Sequence, residues 1–222
     1  MRAIIASLLL LLSGLPARAD TTDILFVRPW VELEPLVRID PAAVYPIPVL
    51  VAEKGLLEEG RQLLSGMIYG WSFIYYPGDL SRSVKESFQL TPLAEIPWGS
   101  PRLRILETEQ DQTRLWARIA YSLDDTEALR RESWDSNTVP LSTGTGAANL
   151  LTEADARRAA REAAIKDAIR RSLDVRYVNK PREITGEVVL WDDPLTLVRA
   201  GSYSTTAKVK VLVRELVPYG IF

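Results

Sequence analysis

Neither cysteine nor histidine occurs in this chain of 222 residues. Without cysteine there is no disulfide to staple the fold and no thiolate to act as nucleophile. Without histidine the chain lacks the commonest general base and the commonest metal ligand. Thiol enzymes, serine–histidine triads and ordinary zinc sites are excluded together. Any catalysis would rest on carboxylates, lysine, serine or tyrosine, so no catalytic, metal or cofactor residue is assigned. An excess of charge is missing too: 27 basic residues face 29 acidic ones, a net charge of −2. Nothing in that balance draws the chain to nucleic acid or to anionic lipid.

Long apolar runs are also scarce. The one near the start, Ala3 to Leu12, follows Met1-Arg2 and precedes Ser13-Gly14-Leu15-Pro16. Ala17-Arg18-Ala19 then supplies a small-x-small site before Asp20. These are the three parts of a secretory leader, residues 1–19. A membrane-spanning helix needs about 20 apolar residues, and no later stretch reaches that length, so no integral span is expected once the leader is removed. The expected location is outside the cytoplasm, in the periplasm or at the periphery of the envelope.

What is present reads as α+β: an antiparallel sheet with two main amphipathic helices packed on it. Residues 20–48 hold five prolines and read as an extended arm with a short strand at Ile24–Val27. The remainder, 49–222, forms one α+β domain or two helix-plus-strands units, 49–136 and 150–216. Ala52, Leu56, Leu57, Gly60, Leu63 and Leu64 recur at helical spacing, which predicts a helix over 49–64 with Gly66 as its stop. Over 67–76 the period changes, and Tyr69, Trp71, Phe73 and Tyr75 fall on one strand face. Such a face is either a binding platform for a glycan or peptide, or a buried sheet face; buried aromatics are the commoner case.

A strand around Val84, Phe88 and Leu90 carries Glu86 as its odd residue. A hairpin over 103–122 and a short helix over 124–134 follow. Residues 137–149 are poor in large apolar side chains and read as a loop. Within them Gly144-Thr145-Gly146 resembles part of a dinucleotide fingerprint, but no buried strand precedes it and the third glycine is Asn149. A second helix is expected over 153–175, with Thr152 as its N-cap and Asp155 completing a box. Ala164, Ile165, Ala168, Ile169 and Leu173 form its core stripe. Ala156, Ala159, Ala160 and Ala163 form a small-residue patch that would admit a close neighbour, and this patch is the candidate partner-packing surface. Strands over 184–191 and 203–214 close the pattern. Paired acidic residues such as Asp124-Asp125 and Asp192-Asp193 would serve a carboxylate-based hydrolase, although each pair sits at an expected turn.

The run from Ala156 to Leu216, an alanine-rich helix followed by ITGEVVLW and GSYSTTAKVKVLVREL, resembles the small α/β domain of FlgT-type flagellar-assembly proteins and related envelope lipoproteins. The lipid-accepting cysteine of the lipoproteins is absent here. The resemblance implies an assembly or scaffolding module, with another envelope protein or a second copy of the chain as partner. A ligand-binding module built on the aromatic strand face is the alternative.

Overall fold

A computed structural model describes residues 24–34, 44–151, 155–174 and 181–219. The leader, residues 20–23 and 35–43 of the arm, Thr152, Glu153 and Val175 lie outside the described residues. In chain order the elements are β1 (Ile24–Val27), β2 (Trp30–Glu32), α1 (Val49–Ile68), β3 (Trp71–Tyr76), β4 (Ser87–Pro92), β5 (Leu103–Gln110), β6 (Arg114–Ser122), α2 (Asp125–Trp134), β7 (Leu141–Asn149), α3 (Ala156–Asp174), β8 (Glu183–Leu190), β9 (Leu195–Arg199) and β10 (Ser202–Val217). The expected α+β class holds, with the strands in two antiparallel sheets. In one, β6 pairs with β5 on one side and with β1 and β2, end to end, on the other. The other has the order β4-β3-β8-β10-β7, with β9 also on β10. Since β3 pairs with β8, strands from both expected helix-plus-strands stretches share one sheet.

Helix α1 lies against both sheets. Its apolar stripe, Leu56, Leu63, Leu64 and Ile68, is buried in one core with Ile119 and Tyr121 of β6 and Val188 and Leu190 of β8. The helix does not stop at Gly66. That residue is buried within it under Trp71, and the chain turns only at Tyr69 and Gly70. Gly70 has φ +70°, and a Cβ there would meet the Val188 carbonyl oxygen at 2.1 Å. The left-handed conformation and the tight approach both require glycine.

The late turn takes Tyr69 out of the expected aromatic face, and Trp71, Phe73 and Tyr75 keep to one face of β3 that packs on the core. Tyr69 is the C-cap of α1, not a strand residue, and its hydroxyl donates to Glu127. Trp71 is half-buried over Gly66, while Phe73 and Tyr75 point into the core at 1% and 7% exposure. Glu86, the odd residue near β4, accepts from Arg170 of α3 at 2.5 Å, with Lys166 at 3.9 Å. It joins the β4 edge to α3.

A second correction concerns residues 137–149. Instead of a loop, Leu141–Asn149 is strand β7, paired along its whole length with β10. It lacks large side chains because α3 comes down onto it backbone to backbone. A Cβ on Gly144 would lie 2.2 Å from the Ala164 carbonyl oxygen, and one on Gly146 2.3 Å from the Ala164 nitrogen. Ala160, Ala164 and Ala168 are all fully buried on the facing side of α3. The candidate partner patch is therefore occupied from within the chain: Ala156 and Ala160 are buried with Ala148 of β7, and Ala159 packs on them beside Tyr203. Ala163 is half-buried. At the start of α3, Asp155 supports the first turn through its carbonyl, which accepts from the Ala159 nitrogen, and an ion pair with Arg158. No helix among the described residues is long and apolar enough to cross a membrane.

Candidate ligand interface

The strands β1 and β2 would be one strand but for Arg28-Pro29. Proline has no N–H to give the ladder. The Pro29 carbonyl still accepts from the Ala117 nitrogen at 3.0 Å, and the register on β6 continues unshifted, so Phe26, Arg28 and Trp30 stay on one face. On the outer face of this sheet arginines and aromatic rings alternate. Arg114, Trp116 and Arg118 are two residues apart on β6, which places them on one face. Trp116 lies directly opposite Trp30 in register, with ring centroids 5.7 Å apart and planes tilted by 42°. Arg118 stands over Phe26 at 4.8 Å, Arg28 over Trp116 at 5.6 Å, and Arg114 over Trp30 at 4.2 Å. Each such contact contributes about 0.5–1 kcal/mol at exposed positions and more where water is excluded.

This stripe runs into a cleft of about 270 Å³ between the β2 end of one sheet and the β8–β9 connection of the other. Trp30 forms its floor at 6% exposure, with Tyr203 of β10 at 6.1 Å on a tilted plane. From the first turn of α3, Arg157 reaches 4.0 Å from the Trp30 ring centre and 5.2 Å from that of Tyr203. One Arg157 terminal nitrogen donates to the Trp30 carbonyl, while its Nε is buried without a hydrogen-bond partner among the described residues. At the other rim, Asp193 accepts from the Arg28 backbone nitrogen at 2.7 Å. Crowding by the surrounding chain raises the Asp193 carboxyl pKa, against the lowering effect of that hydrogen bond. Burial likewise raises the Tyr203 hydroxyl, which donates to Glu32 at 3.1 Å.

The charges around the cleft are not evenly matched. Arg28 is paired with Glu109 and Arg161 with Glu59. Arg114 and Arg157, the two guanidinium groups closest to Trp30, form no ion pair with a carboxylate among the described residues. Rings and unpaired guanidiniums side by side suit a ligand that carries a carboxylate or another planar anion.

Set beside known proteins, residues 13–219 match a family model that carries no functional description. The chain belongs to that family. An uncharacterized protein of Treponema pallidum (strain Nichols) is 30% identical over 167 residues, 75% of this chain and 70% of that protein. No solved structure matches. The match spans every described element of the family's fold here, from β1 to β10.

None of the aromatic residues singled out from the sequence lines this cleft. Tyr69, Trp71, Phe73 and Tyr75 belong to the α1–β3 corner and the core. Of the alanine patch no residue takes part, but its neighbours Arg157 and Arg161 do. One signal was available: Arg114-x-Trp116-x-Arg118 places cations and an aromatic ring on the polar face of an otherwise well-alternating strand. The pairing of that face with Trp30 was not legible, because Trp30 stands in a proline-rich stretch and its partner Tyr203 is 173 positions further on.

Proposed function

We propose that the chain is an exported, non-catalytic component of the cell envelope, an assembly or scaffolding piece that docks a partner protein at the Trp30 cleft. The leader-like residues 1–19 support export. The observation that carries the docking reading is Trp30 flanked by Arg114 and Arg157, two cations that are held on aromatic faces and form no ion pair among the described residues. Aromatic residues and arginine are the side chains that dominate binding energy at protein interfaces. The resemblance of the C-terminal stretch to flagellar-assembly and envelope modules agrees with this reading.

A photo-crosslinking amino acid incorporated at position 197, on the rim of the cleft, tests it in living cells. The expected result is a chain cut before Asp20, recovered with the envelope, that forms a discrete crosslinked product from position 197. The same group at position 80, which is 99% exposed and lies away from the cleft, should form none. An unprocessed chain in the cytoplasm, or equal background from both positions, would overturn the proposal.

A further inference from the structure

The strand β9 borders the cleft with its edge. Leu195, Thr196 and Leu197 are consecutive, so they alternate between the two faces of the strand, yet all three line the cavity. Only the edge can present residues from both faces to one space. The hairpin geometry fixes which backbone groups that edge offers. The β9–β10 turn is Ala200-Gly201, with φ of 46° and 72°, the two-residue turn with both central residues left-handed. It makes Arg199 and Ser202 the closing pair, and antiparallel pairs alternate from there between bonded and non-bonded. Val198 opposite Tyr203, and Thr196 opposite Thr205, are the non-bonded pairs. The 2.9 Å contact between the Thr196 and Thr205 hydroxyls fits the closer side-chain approach of such a pair. The N–H and C=O of Thr196 and Val198 therefore point away from β10, and β9 has no second strand partner among the described residues.

Other edges in this sheet are protected. On β7 the Thr145 nitrogen donates to Asp167 of α3 at 2.9 Å, and Arg171 holds that carboxylate from 2.9 Å. On β4 the last residue is a proline. Strand β9 has Pro194 just before its first residue but no proline or side-chain acceptor along Leu195–Arg199, and it exposes Leu195 at 61% and Leu197 at 39%. An apolar edge left open is a template for another strand.

We infer that β9 receives an extended, carboxylate-bearing segment of a partner protein as an added strand, with an acidic side chain of that segment reaching Arg157 and Arg114 over Trp30. This inference rests on the docking reading above and specifies its mode. Main-chain hydrogen bonds to Thr196 and Val198 supply affinity that is independent of sequence. The guanidinium pair supplies the preference for an acid, and the exposed leucines favour β-branched neighbours on alternate positions. Charge complementarity favours this occupant, because Arg114 and Arg157, two of the cations lining the cleft, form no ion pair with a carboxylate among the described residues, although Glu32 stands opposite Arg114 in register and Asp111 interacts with its charge.

The test uses the purified full-length protein and a random heptapeptide library displayed on phage. Peptides recovered from it should share an Asp or Glu within an alternating run of β-branched residues. Synthetic versions with alternate amides N-methylated should bind at least about tenfold more weakly, since each lost main-chain hydrogen bond removes a good part of a tenfold in affinity. Arg157→Met, which keeps the stem on Trp30 and removes the charge, should weaken binding by a similar factor. So should Val198→Pro, which deletes an outward N–H while leaving the ladder to β10 its donors. If Val198→Pro impairs folding, the N-methylated peptides carry the same test from the ligand side. The inference fails if no peptide is enriched, if enriched peptides lack a carboxylate, or if N-methylation is harmless. It fails also if succinate displaces the peptide at equal concentration, which would mark a small-anion site. Failure here with a discrete crosslink from position 197 retained would remove strand addition and leave the docking reading standing. Loss of the crosslink as well would remove both.

Discussion

Gly146→Val should cost the protein about 3 kcal/mol or more, enough to lower its urea midpoint sharply, with no surface feature lost. The reason is what a Cβ would meet. At Gly146 the nearest atoms are the Ala164 nitrogen at 2.3 Å, the Ala160 carbonyl oxygen at 2.4 Å and the Ala163 carbonyl carbon at 2.6 Å, all backbone. A flexible side chain could swing aside, but a helix backbone cannot move by an ångström without lifting the whole of α3. Lifting α3 would uncover Ile165, Ile169 and Leu173, which are buried in the main core. Gly144→Ala should act in the same direction, since its Cβ would lie 2.2 Å from the Ala168 nitrogen. Two comparisons separate this cause from loss of strand propensity. Thr143→Val, at an exposed position of the same strand, should change stability by no more than about 0.5 kcal/mol. Ala164→Gly should not rescue Gly146→Val, because the clash is with the Ala164 backbone rather than its methyl group. A Gly146→Val protein with an unchanged urea midpoint would contradict the packing described here.

The same contact explains which parts of the fold were legible in the sequence. Strand propensity reports how well side chains cover a pleated surface. Where the covering layer is a helix backbone, the strand needs small residues instead, and Ser142 to Asn149 carries the composition of a loop. The available signal was joint: small residues every second position at Gly144, Gly146 and Ala148 match small residues every fourth position at Ala160, Ala164 and Ala168. Neither half is informative alone. By contrast β6, β8 and β10 and helix α1 bury ordinary apolar side chains at ordinary spacing, and their periods were readable. Errors at the end of α1 have a similar origin. Gly66 has the look of a stop, but it is a place where Trp71 rests on the helix, and the true reversal at Gly70 is dictated by the approach to Val188. The cleft was the least legible, because its parts come from β2, β6, α3 and the β8–β9 connection and meet only in the folded chain.

Glu127→Ala is the second substitution with a large expected effect, about 3–5 kcal/mol of destabilisation. Glu127 is 4% exposed and receives hydrogen bonds from every side. The hydroxyls of Tyr69 and Tyr121 both donate to its Oε1, the latter at 3.0 Å. Arg102 donates to Oε2 at 2.6 Å and to Oε1 at 3.2 Å, and the Asp124 backbone nitrogen donates to Oε2 at 2.9 Å. One carboxylate thus closes the capping box of α2 and ties the end of α1 to β6. Removing it leaves the two tyrosine hydroxyls without this acceptor, and leaves Arg102 only Asp124 at 3.1 Å and the Ser122 carbonyl at 3.3 Å. Burial alone would raise the Glu127 pKa; the donors outweigh it, and the folded value lies below the usual 4.5. Conversely, burial and then the hydrogen bond to this carboxylate push Tyr121 up to about 12. The sign for stability follows. A depressed folded pKa means that the contribution is fully present above about pH 4.5 and is lost as pH falls through the lower folded value. Glu127→Gln retains an acceptor oxygen but not the charge, so it should cost less than the alanine change and flatten the stability profile below pH 4.5. Urea unfolding at a series of pH values between 3 and 7, followed by tyrosine and tryptophan fluorescence, reads both effects. A Glu127→Gln protein with the same acid dependence as the parent would show that other carboxylates govern it, and a Glu127→Ala protein of parental stability would show that the network holds nothing together.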